Sequence, residues 1–227
     1  MTCFIKDIRS YSILLETLRA FGAFSGLKVK KDKTEALALE KSGSLWEGYL
    51  VMGNLCDIIK ILGVYMVVTL KNEELSFWKI LESIKKTINL WKWLGLSLIG
   101  RIQIVKTFAI PKLMFRALVI SISKYLVKEA ESIFYHFIWK GKDKVKRNAV
   151  ISEVENGGLN MLDTESMIRT KRVICLQKVL KDYESPWKMF LGELLKPIGG
   201  KFLLHCNFEV SKLNISLPAF YRQCLVA

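Results

Sequence analysis

Residues 88–117 read INLWKWLGLSLIGRIQIVKTFAIPKLMFRA. Apolar residues recur at three- and four-residue intervals rather than in alternation, so the stretch is helical. Gly95 interrupts the pattern. Ser97 follows, and its hydroxyl can accept from the free N–H groups of a first helical turn. The helix after it is predicted to turn Ile99, Ile102, Val105, Phe108 and Ala109 inward and Arg101 and Lys106 outward. Pro111 should end it.

Working outward, Phe77, Ile80, Leu81, Ile84, Ile88 and Trp91 continue the helical spacing upstream, with Lys79, Lys85, Lys86 and Lys92 between them. That is an amphipathic helix with a basic polar side. Downstream, Ser123 can cap a helix through Leu126, Val127, Ala130, Ile133, Phe134, Phe137 and Ile138. KGKDKVKR at 140–147 is a basic loop. Asp163 can cap a further helix, Pro186 suits the first turn of another, and SLPAFYRQCLVA at 216–227 ends the chain as a short one.

Before residue 71 the pattern changes. TCFIK at 2–6 alternates and reads as a strand, and 10–26 reads as a helix ending near Gly22 and Gly26. LKVKKDKTEALAL at 27–39 reads as two strand pieces around a Lys-Asp-Lys turn. YLVMG at 49–53 and IIKILGVYMVV at 58–68 are rich in β-branched residues and read as strands. The expected fold is therefore α+β and mainly helical, with a domain division near residue 71 and no internal repeat.

The 227 residues carry a net charge of +14, with 51% hydrophobic and 25% charged residues, a composition that excludes disorder. From Trp78 to Arg147 there are 15 Lys and Arg against 4 Asp and Glu, a surplus of 11 that accounts for most of the whole. Such a block points to a polyanion partner, and its helical setting favours nucleic acid over an anionic membrane. Cys3, Cys56, Cys175, Cys206 and Cys224 show no zinc-ligand spacing, and their odd count argues against a secreted disulfide framework. Nothing resembles a signal peptide, and the most apolar run, at 58–70, is too short to span a bilayer. An intracellular protein, nuclear or cytoplasmic and not secreted, is expected. The sequon at Asn214 then has no glycosylation role.

No catalytic constellation is visible. Gly95 and Gly100-Arg101 mimic a phosphate loop, but the Lys and Ser/Thr of that motif are absent and the turn joins two helices. Gly157-Gly158 reads as a turn. Glu73-Glu74, the adjacent acidic pair, suits a helix N-terminus, and Asp7, Asp32 and Asp57 are scattered, so no two-metal carboxylate site is apparent. His136 reads as packed among aromatics, and His205-Cys206 is an isolated pair. Trp78, Trp91, Trp93 and Trp139 interleave with the basic residues and could stack on bases, but they fall on apolar helix faces, which makes core packing the expectation for most of them.

Residues 88–117 resemble the region after the palm in LINE-type (non-LTR) retrotransposon reverse transcriptases. In that family a tryptophan-containing helix leads to a Leu-Ser-x-x-Gly-Arg/Lys segment, here Leu96 to Arg101, and then to Pro-Lys-Leu, here Pro111 to Leu113. FYHFIWKGKDKVKRNAVISEVENGGLNMLDTESMIRTKR at 134–172 is similar to the family's Ile-Trp basic loop and Gly-Gly-Leu turn. SGLKVKKDKTE at 25–35 resembles the palm motif after the catalytic strand, and ILGVYM at 61–66 the hairpin supporting the primer end. The likeness runs in order over nearly the whole chain. It implies a partial palm sheet at 1–70, thumb helices and a basic connector at 71–147, and a helical C-terminal extension at 148–227.

By the same resemblance Lys33 matches a lysine proposed to assist the pyrophosphate leaving group as a general acid; a solvated turn charge is the alternative. The family's paired aspartates would precede a segment like MTCFIKD, so the chain is expected to be a truncated downstream piece, with palm and fingers upstream and apolar surface exposed. The complete enzyme, an RNA-directed DNA polymerase, implies Mg2+; this piece implies no cofactor, no metal site and no small-molecule substrate. The expected partner is an RNA/DNA template-primer. We assign its grip, from helix face and charge, to Lys85, Lys86, Lys92, Arg101 and Lys106. The loop residues Lys140, Lys142, Lys144, Lys146 and Arg147 form a second grip. The alternatives are an interaction protein whose basic helices dock an acidic protein partner, and an active polymerase if the gene product extends upstream.

Overall fold

In a computed structural model, residues 2–38, 54–61, 63–67, 73–181 and 185–227 are described. The fold is α+β and mainly helical. It divides into two compact units, Met1–Ser76 and Phe77–Ala227.

In the first unit, α1 (Ile8–Ser25) starts where the Asp7 carboxylate accepts from the Ser10 N–H at 2.8 Å. It ends at Gly26, whose φ of 71° lets its N–H reach back to the Gly22 carbonyl. A single 3-10 turn, Lys31–Lys33, leads to β1 (Glu35–Ala36), which pairs in parallel with β2 (Asn54–Leu55). β3 (Ile58–Ile61) and β4 (Val64–Val67) form an antiparallel hairpin in the register Ile58 to Val67 and Ile61 to Val64. Gly63 supplies the positive φ of its turn. Residues 2–6 are not a strand. Among the described residues no strand pairs with them, and an alternating pattern without a neighbour has nothing to accept its backbone hydrogen bonds. The segment at 27–30 likewise remains irregular, and only the Glu35–Ala36 piece pairs. The proposed strand at 49–53 lies outside the described residues. Phe4, Phe24 and Leu27 are exposed, and Tyr11 and Val64 are buried.

The second unit holds two apolar cores. α2 (Glu73–Leu90) contributes Phe77, Leu81, Ile84 and Ile88 to the first, a stripe at helical spacing. α3 (Leu98–Ile104) is capped by Ser97, whose Oγ accepts from the Gly100 N–H at 3.1 Å. The chain then passes through one π-helical turn, Val105–Ala109, into α4 (Ile110–Ala117). Pro111 therefore does not end the helix. The widened turn before it, with the Ile110 N–H reaching back to the Val105 carbonyl, carries the backbone past a residue that has no N–H. The inward face differs from the expected one. Ile102, Val105 and Ala109 are buried, but Ile99 and Phe108 are exposed, and Arg101 and Lys106 are half-buried rather than outward.

α5 (Lys124–Trp139) is capped by Ser123 and buries Ala130, Phe134 and Ile138 at the centre of this core. α6 (Arg147–Ile151) adds Val150. The turn after it is tight. Gly157 has a φ of 75°, and a Cβ on Gly158 would lie 2.0 Å from the Ser152 carbonyl oxygen. α7 (Thr164–Leu180), capped by the Asp163 carboxylate, runs from the first core to the second. The second core gathers Val179, Leu191, Leu195 and Leu203 from α7, α8 (Pro186–Leu195) and the 3-10 turns that follow. α9 (Ala219–Val226) packs on α7. The first core thus reaches from Phe77 to Ile168, across residue 147.

Candidate nucleic-acid interface

Because the apolar stripe of α2 faces the core, its lysines are left on the solvent side. Lys85, Lys86 and Lys92 are all exposed. Lys85 lies on α2 and Lys92 in the turn that follows it. Lys86 pairs with Glu82 one turn back at 2.9 Å, and its hydrogen bond and charge hold that carboxyl below the usual range. Both side chains are largely exposed, so the pair is weak and its ammonium stays available.

Arg101 and Lys106 are placed differently. Arg101 is half-buried at the start of α3. The Lys106 Nζ donates to the Asn160 carbonyl at 2.9 Å, tying the π turn to the Gly157-Gly158 segment. Lys112, absent from the residues assigned by sequence, donates to Ser83 Oγ at 3.5 Å and to Thr87 Oγ1, joining α4 to α2.

The loop after α5 keeps four lysines in water: Lys140, Lys142, Lys144 and Lys146 are exposed. Lys140 adopts φ 54° and closes the helix, its N–H donating to the Phe137 carbonyl at 3.4 Å. Arg147 sits in a fixed nest. Its guanidinium bonds Asp143 at 3.0 Å and Glu131 at 3.2 Å and lies 4.6 Å from the centre of the Tyr135 ring. Burial pushes the Glu131 carboxyl up, with Arg147 opposing, and pushes the Tyr135 hydroxyl up to about 12. Arg147 thus braces α5 against the loop. Lys33, in the first unit, is an exposed turn residue.

Two of the four tryptophans among the basic residues, Trp78 and Trp93, escape the expectation of core packing, and Trp78 is 42% exposed. Trp91 is half-buried and stacked on Phe108 at 5.4 Å, and Trp139 is half-buried, but Trp93 is 88% exposed beside Lys92. The signal was present in LWKWLGL at 90–96, where apolar residues are denser than one helix face can bury. His136 is exposed rather than packed. Among the described residues no three His, Cys, Asp or Glu side chains converge as metal ligands, and no helix is long and apolar enough to cross a membrane.

No family model matches the chain. Over 177 residues it is 22% identical to the transposon TX1 uncharacterized 149 kDa protein of Xenopus laevis. That match takes in 74% of this chain and 14% of the frog protein, so the chain is similar to a short stretch of a much longer transposon protein.

Proposed function

We propose that the chain is part of a non-LTR retrotransposon reverse transcriptase and that its helical unit binds template-primer through phosphate contacts, without reading sequence. The similarity to a transposon protein supports the origin. The observation that carries the binding is the exposed set Lys85 on α2, Lys92 in the turn after it, and Lys140, Lys142, Lys144 and Lys146 in the loop after α5, with no acidic partner among the described residues. Ordered cations of this kind neutralise phosphates and release counterions. Lys106 and Arg147 are tied into the fold that presents these lysines, and Arg101 is half-buried.

The complete family enzyme uses Mg2+ held by converging carboxylates. No residue of this chain is assigned here to hold that ion. Lys33, matched by the resemblance to a leaving-group lysine, is an exposed residue of the 3-10 turn before β1.

Binding of a fluorescent RNA–DNA hybrid, titrated with salt, tests the reading. Affinity should fall by roughly 0.9 log units per phosphate contact per decade of salt. A flat dependence overturns it, and failure of excess hybrid to displace a bound acidic protein would favour a protein-docking role instead.

A further inference from the structure

The turn that joins α2 to α3 is anchored at both ends and bare in the middle. Trp91, at its start, is stacked on Phe108 and packed against the first core, and its N–H donates to the Ile88 carbonyl at 3.0 Å. The Lys92 N–H donates to the Asn89 carbonyl at 3.2 Å and the Leu94 N–H to the Trp91 carbonyl at 3.4 Å. Leu96 returns to the core, and Ser97 caps α3. Between these anchors Trp93 is 88% exposed, so nearly the whole indole meets water. Leu90, Leu94 and Ile99 are exposed with it. Large apolar groups left outside a fold together mark a contact surface.

Charge narrows the kind of contact. From Ser83 to Lys128 the chain carries nine Lys and Arg and no Asp or Glu. Lys92, next to Trp93, is exposed. A partner for this turn is therefore anionic and also offers an apolar face. A nucleic-acid strand offers both, one phosphate and one base to each nucleotide, and one ammonium beside one indole matches that repeat. In a duplex the base faces are covered by their stacked neighbours; in a single strand they are open to an aromatic side chain. The other cationic site differs, since residues 140–147 contain no aromatic residue.

We propose, building on the phosphate binding assigned above, that Trp93 is a stacking platform for an unpaired base and that Lys92 is the phosphate contact beside it. The helical unit then has two kinds of grip: the lysines of 140–147 for the backbone of a duplex, and the Trp93 turn for a single-stranded stretch. Because the turn is already anchored, little ordering is needed when a base arrives. Stacking accepts any base, in keeping with binding that does not read sequence.

The test titrates the full chain, by fluorescence anisotropy, against labelled oligothymidylate, an abasic strand of the same length and phosphate count, and an RNA–DNA hybrid. The wild type should bind oligothymidylate roughly 5- to 150-fold more tightly than the abasic strand. Trp93→Ala should abolish that difference and leave hybrid binding and its salt slope unchanged, and Trp93→Phe should keep part of it. A wild type that binds both strands equally overturns the proposal, as does Trp93→Ala weakening all three ligands alike. If the strands are not distinguished while the hybrid still binds with a steep salt slope, only the role of Trp93 falls; a flat slope removes the phosphate reading and this one with it. Binding to phosphatidylserine vesicles that is lost in Trp93→Ala, with strand binding kept, would make the turn a membrane contact instead. The comparison of the two strands uses the wild type and decides alone should a variant not fold.

Discussion

Arg147 shows how a cation in a basic loop can belong to the fold. Burial raises the Glu131 carboxyl, and Arg147 is what opposes that rise. A carboxyl raised in the folded state favours the protonated form, so its ionisation weakens the fold as pH increases. Arg147→Met should therefore lower stability by about 1 kcal/mol at neutral pH, and by less as pH falls and Glu131 takes up a proton. Urea denaturation at pH 7 and pH 4.5 checks this, and equal losses at both would count against it. Gly158 is constrained by space: Gly158→Ala places a methyl against the Ser152 carbonyl and should cost about 2–3 kcal/mol, read as a lower melting temperature. The basic character of 140–147 was legible in the sequence. That its arginine is tied and its lysines are not was hidden, because Glu131 is sixteen residues away and reaches Arg147 only through the folded chain.

At the scale of elements, caps and stripes were legible because they depend on neighbours within a turn or two. Ser97, Ser123 and Asp163 all accept from the first turn of their helices. Ser97→Ala should destabilise the helical unit by about 1 kcal/mol, followed by thermal unfolding; an unchanged midpoint would mean that packing alone sets the start of α3. Phe134, wholly buried on α5, should cost about 3–5 kcal/mol on truncation to alanine. The passage through Pro111 was misread for a physical reason. Proline stops a regular helix by removing a donor and by steric clash, but a single π turn ahead of it removes the conflict, and whether that turn forms depends on core packing by Val105, Ala109 and Ile110. The strand expected at 2–6 failed similarly, since a strand exists only with a partner.

For the whole molecule, binding and folding should separate by mutation. Replacing Lys85, Lys86 and Lys92 together by glutamine should leave the melting temperature nearly unchanged and reduce the salt slope of hybrid binding by about 2–3. Lys106→Gln should do the reverse, weakening the fold through loss of its bond to Asn160 with little change in slope. Trp93→Ala should weaken single-strand binding by about 1–3 kcal/mol if the exposed indole stacks on a base, measured by fluorescence anisotropy. The amino-acid sequence by itself determined the α+β, mainly helical class, the helix starts and the concentration of charge, because periodicity, capping and composition act over short range. The tertiary structure alone decided which cations are free and which are braced, that Trp93 stays in water, and that Arg172 meets Gln223. Those outcomes depend on side chains far apart in sequence, and only the packing of helices brings such groups within reach of one another.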